Sequence, residues 1–542
     1  MVNLPRVVIA ATRSGDGKTT VATGVMAALR ASGLRVSPHK VGPDYIDPSY
    51  HAAACGVPGR NLDPWLVGEH LIAPLLLHGA AKAGAASVGS ATAGGVGAGG
   101  AGAGGAGAGG ARVGGARVGG GADVAVIEGV MGLFDGAAGR GDFASTAHVA
   151  RLTGSPVILV VGAAGTSRSI AATVHGFATW DPQLRLAGVV LNQVSSDRHE
   201  ALLREALAPL GIPVVGALRR DDALHTPSRH LGLVPAGERP ASVDAWLPAL
   251  RALAQRDLDL DLLMRIARSA PDLAAEPWSA EPRSAEPWPA APPMAAARPG
   301  HSQPPTPLPR PDHRSARDRC RGSDTRSVQS PGSGPPRGAR PARVAVAAGP
   351  AFTFRYAEHD ELLAAAGAEV VPFDPLAAEK LPDGTDALVA GGGFPQVHAE
   401  ALAANTSLLN DVRSRATAGM PVVAECAGLL WLGESLDGRN QCGVLPARAR
   451  MTPKLTLGYR EATALHDTPL LAAGTRVRAH EFHRTVSDPA HAEHPAWQLA
   501  DGTETGWAAP GMLASYLHLH WAALPDAATR LVQTALACRA TP

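Results

Sequence analysis

Residues 13–20 have the composition and spacing of a phosphate-binding loop. They follow an apolar run at residues 7–11, which predicts a buried strand, and precede a run with helical spacing from Val21 onward. In such a strand–loop–helix unit, backbone N–H groups and the helix N-terminus face a nucleotide phosphate. A lysine adds a point charge there, and a threonine hydroxyl can hold Mg²⁺. We therefore predict a nucleotide site made of Gly15, Gly17, Lys18, Thr19 and Thr20.

The loop departs from the usual pattern at one position. The pattern has a glycine five residues before Gly17, and this chain has Thr12 there. The strand–loop–helix context still favours nucleotide binding over a plain glycine-rich turn, which is the alternative interpretation. This loop does not indicate what the nucleotide is used for, so the evidence for its use has to come from other parts of the chain.

A cysteine, a distant histidine and a glycine-rich segment suit acyl transfer through a thioester. Cys426 lies where an apolar run at residues 421–424 turns into a helical pattern, with small residues around it. Such a turn exposes a nucleophile, and a helix N-terminus lowers a thiol pKa. His518 lies in a strand-like run at residues 515–520, and the glycines at 391–393 have N–H groups that suit an oxyanion hole. A buried structural cysteine is the alternative interpretation of Cys426.

Length and composition narrow the class of protein. A chain of 542 residues is too long for one hydrophobic core, and a formal net charge of +1 argues against an extended nucleic-acid or membrane surface. The sequence has no apolar run that reaches the roughly 18 residues of a membrane span. Its five cysteines are scattered and match neither a disulfide framework nor a zinc site. We expect a soluble cytoplasmic protein that binds neither nucleic acid nor membranes.

Short apolar runs alternate with helical stretches over residues 1–265, which predicts an α/β domain with a parallel sheet. Residues 80–121 are almost wholly Gly and Ala, and we predict a disordered insertion there. Residues 266–340 are rich in Pro, Arg and Ser, which predicts a flexible linker in which Trp278 has no specific role. A second α/β pattern over residues 341–542 predicts a separate sheet with its own core. The predicted strands lie at residues 36–40, 124–128, 157–161, 186–192, 343–347, 369–372, 387–390 and 421–424, and one long helix at 400–418.

The motif at residues 424–428, together with the glycines at 391–393 and the run at 516–518, resembles a class I glutamine amidotransferase domain. The resemblance implies that Cys426 attacks the glutamine side-chain amide and that His518 acts as its base. It also places Gly392 and Gly393 at the glutamine site. Many members have a glutamate two residues after the histidine, and this chain has His520 there, so the resemblance implies a Cys–His dyad.

Two further motifs, at residues 39–48 and 128–136, resemble the a,c-diamide synthases that amidate cobyrinic or hydrogenobyrinic acid. The resemblance implies a P-loop domain like that of dethiobiotin synthetase, followed by the class I glutamine amidotransferase domain. ATP would convert a corrinoid carboxylate to an acyl phosphate, and ammonia released from L-glutamine would displace the phosphate. ATP is then a co-substrate and Mg²⁺ its metal ion, since a carboxylate needs a better leaving group before ammonia can react.

The resemblance also assigns residues at the nucleotide end. Thr19, Asp44 and Glu128 are expected to hold Mg²⁺, because hard oxygen ligands at strand ends suit this ion. Lys40 is expected to contact phosphate and Asn192 to read the adenine. The alternatives are that Glu128 is an ordinary loop residue and that Asn192 simply ends a strand.

Tyr45, Asp47 and Asp135 are expected from the resemblance to contact the corrinoid carboxylate and the reacting phosphate. They could instead be turn residues, since Asp before Pro or Gly is common in turns. Residues 480–483 contain two histidines and a glutamate, which could suggest a metal site. Because no further ligand pattern joins them, we interpret them as a substrate-side or interdomain feature.

Three rival functions stay in view. Nickel-sirohydrochlorin a,c-diamide synthase shares the side-chain chemistry, and cobyric acid synthase amidates other side chains of the same macrocycle. A partitioning-type ATPase acting as a nucleotide-gated binding module belongs to a different class, and such proteins lack an amidotransferase half. The sequence leaves open whether the substrate carries cobalt, and a homodimer is plausible for this fold.

Overall fold

The computed structural model describes residues 1–85, 121–220, 228–229, 232–238, 240–281 and 340–540. Most of the predicted insertion and most of the predicted linker lie outside the described residues. Every helix in the described part of the chain is too short or too polar to span a bilayer.

The first half of the chain folds around one sheet with the strand order β3-β2-β4-β1-β5-β6-β7, in which all neighbours are parallel. Its strands are β1 (Arg6–Ala11), β2 (Val36–Val41), β3 (Arg60–Leu62), β4 (Val124–Glu128), β5 (Val157–Gly162), β6 (Leu186–Val194) and β7 (Val214–Arg219), followed by the separate pair β8 (Ser228–Arg229) and β9 (Gly232–Leu233). The predicted strands of this half are all present.

Helices cover both faces of this sheet. They are α1 (Lys18–Ala31), α2 (Asp47–Cys55), α3 (Pro64–Val67), α4 (Ile72–Ala85), α5 (Thr146–Leu152), α6 (Ser169–Thr179), α7 (Asp197–Leu207), α8 (Pro240–Asp257) and α9 (Leu260–Arg268), with 3₁₀ turns at Glu69–Leu71, Ala208–Leu210 and Ala236–Glu238. Alternate residues of β1 belong to two different hydrophobic clusters, Val8 to one and Val7 and Ile9 to the other. A strand buried on both faces explains why its sequence is a continuous apolar run.

The second half contains two sheets. Its strands are β10 (Ala342–Ala347), β11 (Ala368–Phe373), β12 (Ala387–Ala390), β13 (Val422–Glu425), β14 (Ser435–Leu436), β15 (Arg439–Asn440), β16 (Arg448–Ala464), β17 (Arg476–Asp488), β18 (Trp497–Leu499), β19 (Glu504–Thr505), β20 (Trp507–Ala509), β21 (Met512–Ser515) and β22 (Leu517–Leu519). The sheet β11-β10-β12-β13-β21-β20 is parallel apart from its edge strand β20. This confirms the predicted α/β fold class.

The other sheet, built around the long antiparallel pair β16–β17 and extended by β22, was not predicted. The run at 515–520 is not one strand, because Ser515 ends β21 in the parallel sheet and His518 lies in β22 in the other sheet. The helices of this half are α10 (Ala357–Ala365), α11 (Ala399–Ala404), α12 (Thr406–Thr417), α13 (Ala427–Leu432) and α14 (Ala527–Ala540), with 3₁₀ turns at Pro395–Val397 and Trp521–Ala523. The single helix expected at 400–418 is two, because Asn405 leaves the helix and caps α12 through its side chain.

The two halves share one continuous hydrophobic cluster. At their boundary, the guanidinium of Arg60 on β3 pairs with Glu358 and Glu361 of α10, each at 2.6 Å. Arg60 and Glu358 are both almost fully buried. A buried charge is tolerated only when it is paired, so these contacts fix how the halves meet.

Two predicted boundaries are wrong within the described residues. Helix α4 continues to Ala85, so the glycine-rich insertion cannot begin at residue 80. The linker cannot begin at residue 266 either, because Leu273 bonds to Val2 through its backbone and Trp278 is buried against His78. The composition of the whole segment did not reveal that single apolar residues in it, Leu273 and Trp278, are buried.

Trp278, for which no role was expected, gives a test of this correction. It is 6% exposed, whereas Trp180 is 76% exposed. We expect Trp278→Ala to lower the free energy of unfolding by about 3 kcal/mol, because removing a buried aromatic leaves a cavity. The matched Trp180→Ala should change it by less than about 0.5 kcal/mol. Chemical denaturation of both variants checks this, and equal losses would contradict the packing of residues 269–281.

Candidate active site

The predicted phosphate loop leads from β1 into α1 as expected. Gly17, the residue before the first turn of α1, has a φ of 93°, a conformation that favours glycine. A Cβ at this position would overlap the side-chain amide of Asn192. That amide donates to the carbonyl oxygen of Asp16 at 2.8 Å, so Asn192 supports the loop from the end of β6. The predicted contact of Asn192 with adenine stays a prediction.

Residues predicted to bind phosphate and metal meet at the ends of β2 and β4. Lys40 and Glu128 are paired in register, and the Lys40 ammonium lies 3.1 Å from Glu128 Oε1. It also lies 2.6 Å from Asp47 Oδ2 and 3.8 Å from Asp44 Oδ2. The Thr19 hydroxyl donates to Glu128 Oε1 at 2.6 Å. The structure therefore gathers one cation and several hard oxygen donors beside the phosphate loop.

The charges in this cluster are unequally stabilised. Burial opposes the charge of Glu128, but Lys40 and His51 outweigh it and hold the pKa of Glu128 below its usual range. Burial, with the neighbouring carboxylates of Asp44 and Glu128, raises the pKa of Asp47 well above its usual value. Three carboxyl groups, those of Asp44, Asp47 and Glu128, thus surround the Lys40 ammonium, and their oxygens could also hold a divalent cation.

The donor chemistry of the cluster fits Mg²⁺. Hydroxyl and carboxylate oxygens are the ligands this ion prefers, and it usually takes only one or two carboxylates together with substrate phosphates. Within the described ranges, no group of His, Cys, Asp or Glu ligands would enclose a metal ion by itself. An Mg²⁺ ion held here would need further ligands, such as substrate phosphates.

A cavity of about 1050 Å³ extends from the phosphate loop to the second half of the chain. Its walls include most of the residues predicted for the site, which are Gly15, Gly17, Lys18, Thr19, Thr20, Lys40, Asp44, Tyr45, Asp47, Glu128 and Asn192. From the second half, the walls include His480 and Phe482 of the segment 480–483, and four residues that were not predicted: Phe354, Leu457, Tyr459 and Arg460. Asp135 instead faces a separate cavity of about 450 Å³ and accepts a hydrogen bond from Gly132 N–H at 2.8 Å. Asp135 thus makes the contact of a turn residue, and its expected contact with the substrate carboxylate or the reacting phosphate stays a prediction.

Cys426 lies between β13 and α13 with a φ of 50°, a left-handed conformation that is strained for a non-glycine residue. Its Sγ is 3.8 Å from the carbonyl oxygen of Phe482. His518, on β22, is fully buried. Burial lowers the pKa of His518, but Cys426 and Glu425 outweigh it and raise that pKa to about 10. At neutral pH the histidine is therefore an imidazolium beside the sulfur of Cys426, and a neighbouring positive charge favours the nucleophilic thiolate of a cysteine.

His520 does not belong to this pair. Its ring stacks on Tyr356 with centroids 4.3 Å apart, and its Nε2 lies 3.8 Å from Glu358. Burial, with the nearby charge of Arg60, lowers the pKa of His520 to about 4. His520 is thus a neutral residue of the boundary between the halves.

The glycines predicted for the glutamine site pack tightly. A Cβ at Gly392 would overlap the ring of His518, and one at Gly393 would overlap the carbonyl of Ala351. The N–H of Gly392 donates to the carbonyl of Phe354 at 3.3 Å. The N–H of Gly392, which was expected to be free to bind an oxyanion, is therefore already bonded, because Gly392 and Phe354 form an antiparallel backbone bridge.

Tyr45 lies between the two sites. Its ring stacks on Phe354 with centroids 5.1 Å apart and lies 5.3 Å from the ring of His518. Tyr45 and Phe354 also line the large cavity. The residue predicted to contact the corrinoid thus belongs to a thin wall between the nucleotide end and the buried Cys426 and His518.

The segment 480–483 on β17 contributes His480 and Phe482 to the cavity wall, and its interpretation as a substrate-side or interdomain feature stays a prediction. His480 lines the cavity, and Glu481 bonds to Arg460 at 2.7 Å and to His483 at 3.0 Å. Burial lowers the pKa of His480 to about 3, which keeps it neutral.

Three functional contacts escaped the sequence analysis. Glu425 stands next to Cys426 in the quoted motif, yet its contact with His518 depends on tertiary packing. His51 is one helical turn after Asp47 on α2, a spacing that could have indicated a shared face, and its Nε2 lies 2.6 Å from Glu128. Arg460 lies in the β16–β17 sheet, for which no sequence signal was recognised.

A phosphate loop with a carboxylate cluster, joined through a thin wall to a cysteine–histidine pair, defines a glutamine-hydrolysing ligase. Family models agree: residues 7–234 match the CobQ/CobB/MinD/ParA nucleotide binding domain, and residues 343–525 match the CobB/CobQ-like glutamine amidotransferase domain. The amidotransferase half excludes a partitioning-type ATPase. The chain belongs to the cobyrinate/hydrogenobyrinate a,c-diamide synthase family.

Its relatives match over nearly their whole length. The hydrogenobyrinate a,c-diamide synthase of Streptomyces coelicolor is 51% identical, over 98% of this chain and 97% of that protein. The protein of the same name from Thermobifida fusca is 45% identical, over 97% and 96%. The cobyrinate a,c-diamide synthase of Gloeobacter violaceus is 38% identical, over 98% and 97%.

The position of Cys426 predicts separable activities. We expect Cys426→Ser to reduce glutamine hydrolysis by several orders of magnitude, because the nucleophile is lost. Amidation supplied with ammonium salt should persist, since the nucleotide end is untouched. The exposed Cys538→Ser is the matched control and should behave as the wild type. Assays of glutamate and of amide product check both, and glutamine hydrolysis retained by Cys426→Ser would contradict the assignment.

Proposed function

We propose that this chain amidates the a and c acetate carboxylates of hydrogenobyrinic acid, using ATP and glutamine, in cobalamin biosynthesis. The observation that carries the proposal is the shared wall, in which Tyr45 and Phe354 separate the nucleotide-side cavity from Cys426 and His518. The cobalt-free substrate is favoured because the relatives named for it are 44–51% identical, whereas those named for cobyrinate are 33–38% identical. A cytoplasmic location and a homodimer belong to the same proposal.

The ligase step begins with transfer of phosphate to the substrate. A carboxylate oxygen forms a bond to the γ-phosphorus, the bond to the β–γ bridging oxygen breaks, and ADP leaves. Lys18 and Lys40 stabilise charge on the transferred group, together with the N–H groups of the loop. Thr19, Asp44 and Glu128 would hold Mg²⁺, which when bound neutralises charge on the phosphate oxygens.

The glutaminase step takes place on the other side of the wall. The thiolate of Cys426 attacks the amide carbon of glutamine, and the imidazolium of His518 gives its proton to the departing nitrogen. Ammonia leaves and a thioester forms, and water then hydrolyses the thioester to glutamate. The ammonia attacks the acyl phosphate, forms the amide and displaces phosphate.

The walls of the cavity suit a flat polyanion. The guanidinium of Arg140 lies 4.8 Å from the ring centroid of Trp65, and Tyr459 stacks on the same indole at 5.0 Å. Arg140 and Arg460 both line the cavity and are partly exposed there. Guanidinium groups bind carboxylates well, so this wall can receive the remaining acid side chains of the macrocycle.

Mass spectrometry tests the proposal directly. Purified protein with ATP, Mg²⁺ and glutamine is offered hydrogenobyrinic acid, cobyrinic acid and nickel-sirohydrochlorin in parallel. We expect two successive replacements of hydroxyl by amino on hydrogenobyrinic acid, and slower turnover of cobyrinic acid. Reaction with nickel-sirohydrochlorin alone would transfer the function to that pathway, and amidation of four side chains would indicate a cobyric acid synthase.

Tyr45 should be needed to deliver ammonia. We expect Tyr45→Ala to open the wall, so that more glutamate is formed per amide because ammonia escapes and becomes protonated. Tyr45→Phe keeps the ring stacked on Phe354 and should retain a ratio near that of the wild type. The ratio of glutamate to amide checks this. An unchanged ratio in Tyr45→Ala, with both activities intact, would show that ammonia takes another route.

A further inference from the structure

The residue before the nucleophile is an acid that faces the catalytic histidine. Glu425 ends β13, and its Oε2 lies 3.7 Å from Nδ1 of His518. Its other oxygen, Oε1, lies 3.5 Å from the backbone N–H of Leu519. The Glu425 side chain is 12% exposed and that of His518 is 1% exposed. One carboxylate thus spans the histidine ring and the backbone of the next residue.

The position that usually carries the acid in such sites is turned away. His520 stacks on Tyr356, and its Nε2 faces Glu358 instead of His518. Neither ring nitrogen of His518 makes a full hydrogen bond within the described part of the chain. A buried imidazole that has to carry charge needs a partner at Nδ1, and Glu425 is the carboxylate placed to supply it.

We propose that Glu425 is the positioning residue for His518 and completes a Cys–His–Glu arrangement in which the acid precedes the nucleophile. Nδ1 faces the Glu425 carboxylate at ion-pair distance, 3.7 Å, which leaves Nε2 to exchange a proton with the substrate. In the imidazolium, Nε2 holds the proton that the Cys426 thiolate has given up, and that proton passes to the departing nitrogen of glutamine. Glu425 takes up no proton; its charge stabilises the imidazolium. The inference rests on the glutaminase half of the proposed function alone.

The surroundings of His518 support the assignment. Tyr45, from the first half of the chain, packs against its ring. His480 and His359 also lie near His518, and burial together with neighbouring positive charges lowers the pKa of each, so both are neutral beside it. Burial also disfavours the imidazolium, whereas Cys426 and Glu425 favour it and raise its pKa to about 10. Glu425 is therefore one of the two groups that favour the charged histidine, and the only carboxylate of the two.

The decisive variant is Glu425→Gln, which keeps the shape and the contact with Leu519 but removes the charge. We expect kcat for glutamine hydrolysis to fall by about 10²-fold or more, with KM for glutamine nearly unchanged. The alkaline limit of alkylation of Cys426 by iodoacetamide should shift to lower pH, since the imidazolium loses its counter-charge. Glu425→Asp should restore part of kcat. Glu434→Gln, at a half-exposed glutamate on the same half, is the matched control.

An amidation assay with ammonium salt in place of glutamine distinguishes failure of this inference from failure of the proposed function. If Glu425→Gln amidates with ammonium salt as the wild type does, its nucleotide end is intact and the glutaminase result can be interpreted. Wild-type kcat and an unshifted alkylation profile in Glu425→Gln would overturn the inference. Equal loss of both activities with an unshifted profile would also overturn it and leave Glu425 as a strap between β13 and β22. Failure of the wild type to amidate with ammonia would contradict the proposed function, not the inference.

Discussion

The packing of Tyr45 against Phe354 and His518 is the contact on which the two-site architecture depends. Tyr45 belongs to the same short segment as Lys40, Asp44 and Asp47, so the segment predicted to surround the phosphates also supplies the wall beside Cys426 and His518. Protein interiors are close-packed, and a ring held between two others cannot shift alone. A ligand that moves this loop therefore moves the surroundings of His518.

Electrostatics reinforce this boundary. Arg60 is buried and pairs with Glu358 and Glu361 across the two halves. Glu358 in turn lies near His520, so the charges are arranged in a connected series at the boundary. Such a buried pair contributes little net stability, but removing one partner costs about 3–5 kcal/mol. Its effect is to fix one relative placement of the halves, which the thin wall between the sites requires.

Local patterns predicted the parts of the fold that depend on local physics. The phosphate loop, the parallel strands and the turn at Cys426 follow from apolar runs and glycine spacing, and all are present. The roles of Glu425 and Arg60 could not be predicted, since each depends on a partner in another sheet or in the other half. Strands β16 and β17 were not predicted, because both of their faces are partly exposed and their sequences therefore lack a clear alternation of apolar and polar residues. The burial of Trp278 was not predicted, because one buried residue does not change the composition of a segment.

The same contacts constrain when glutamine can be hydrolysed. A backbone N–H has one hydrogen to donate, so Gly392 cannot bond to Phe354 and to an oxyanion at once. Use of Gly392 as an oxyanion donor therefore requires Phe354 to move, and Phe354 is stacked on Tyr45. Because Tyr45 follows Asp44 directly, the nucleotide end and the oxyanion site are joined by only two stacked rings. Under the proposed function, this packing would tie ammonia release to the position of the segment that contains Asp44 and Tyr45.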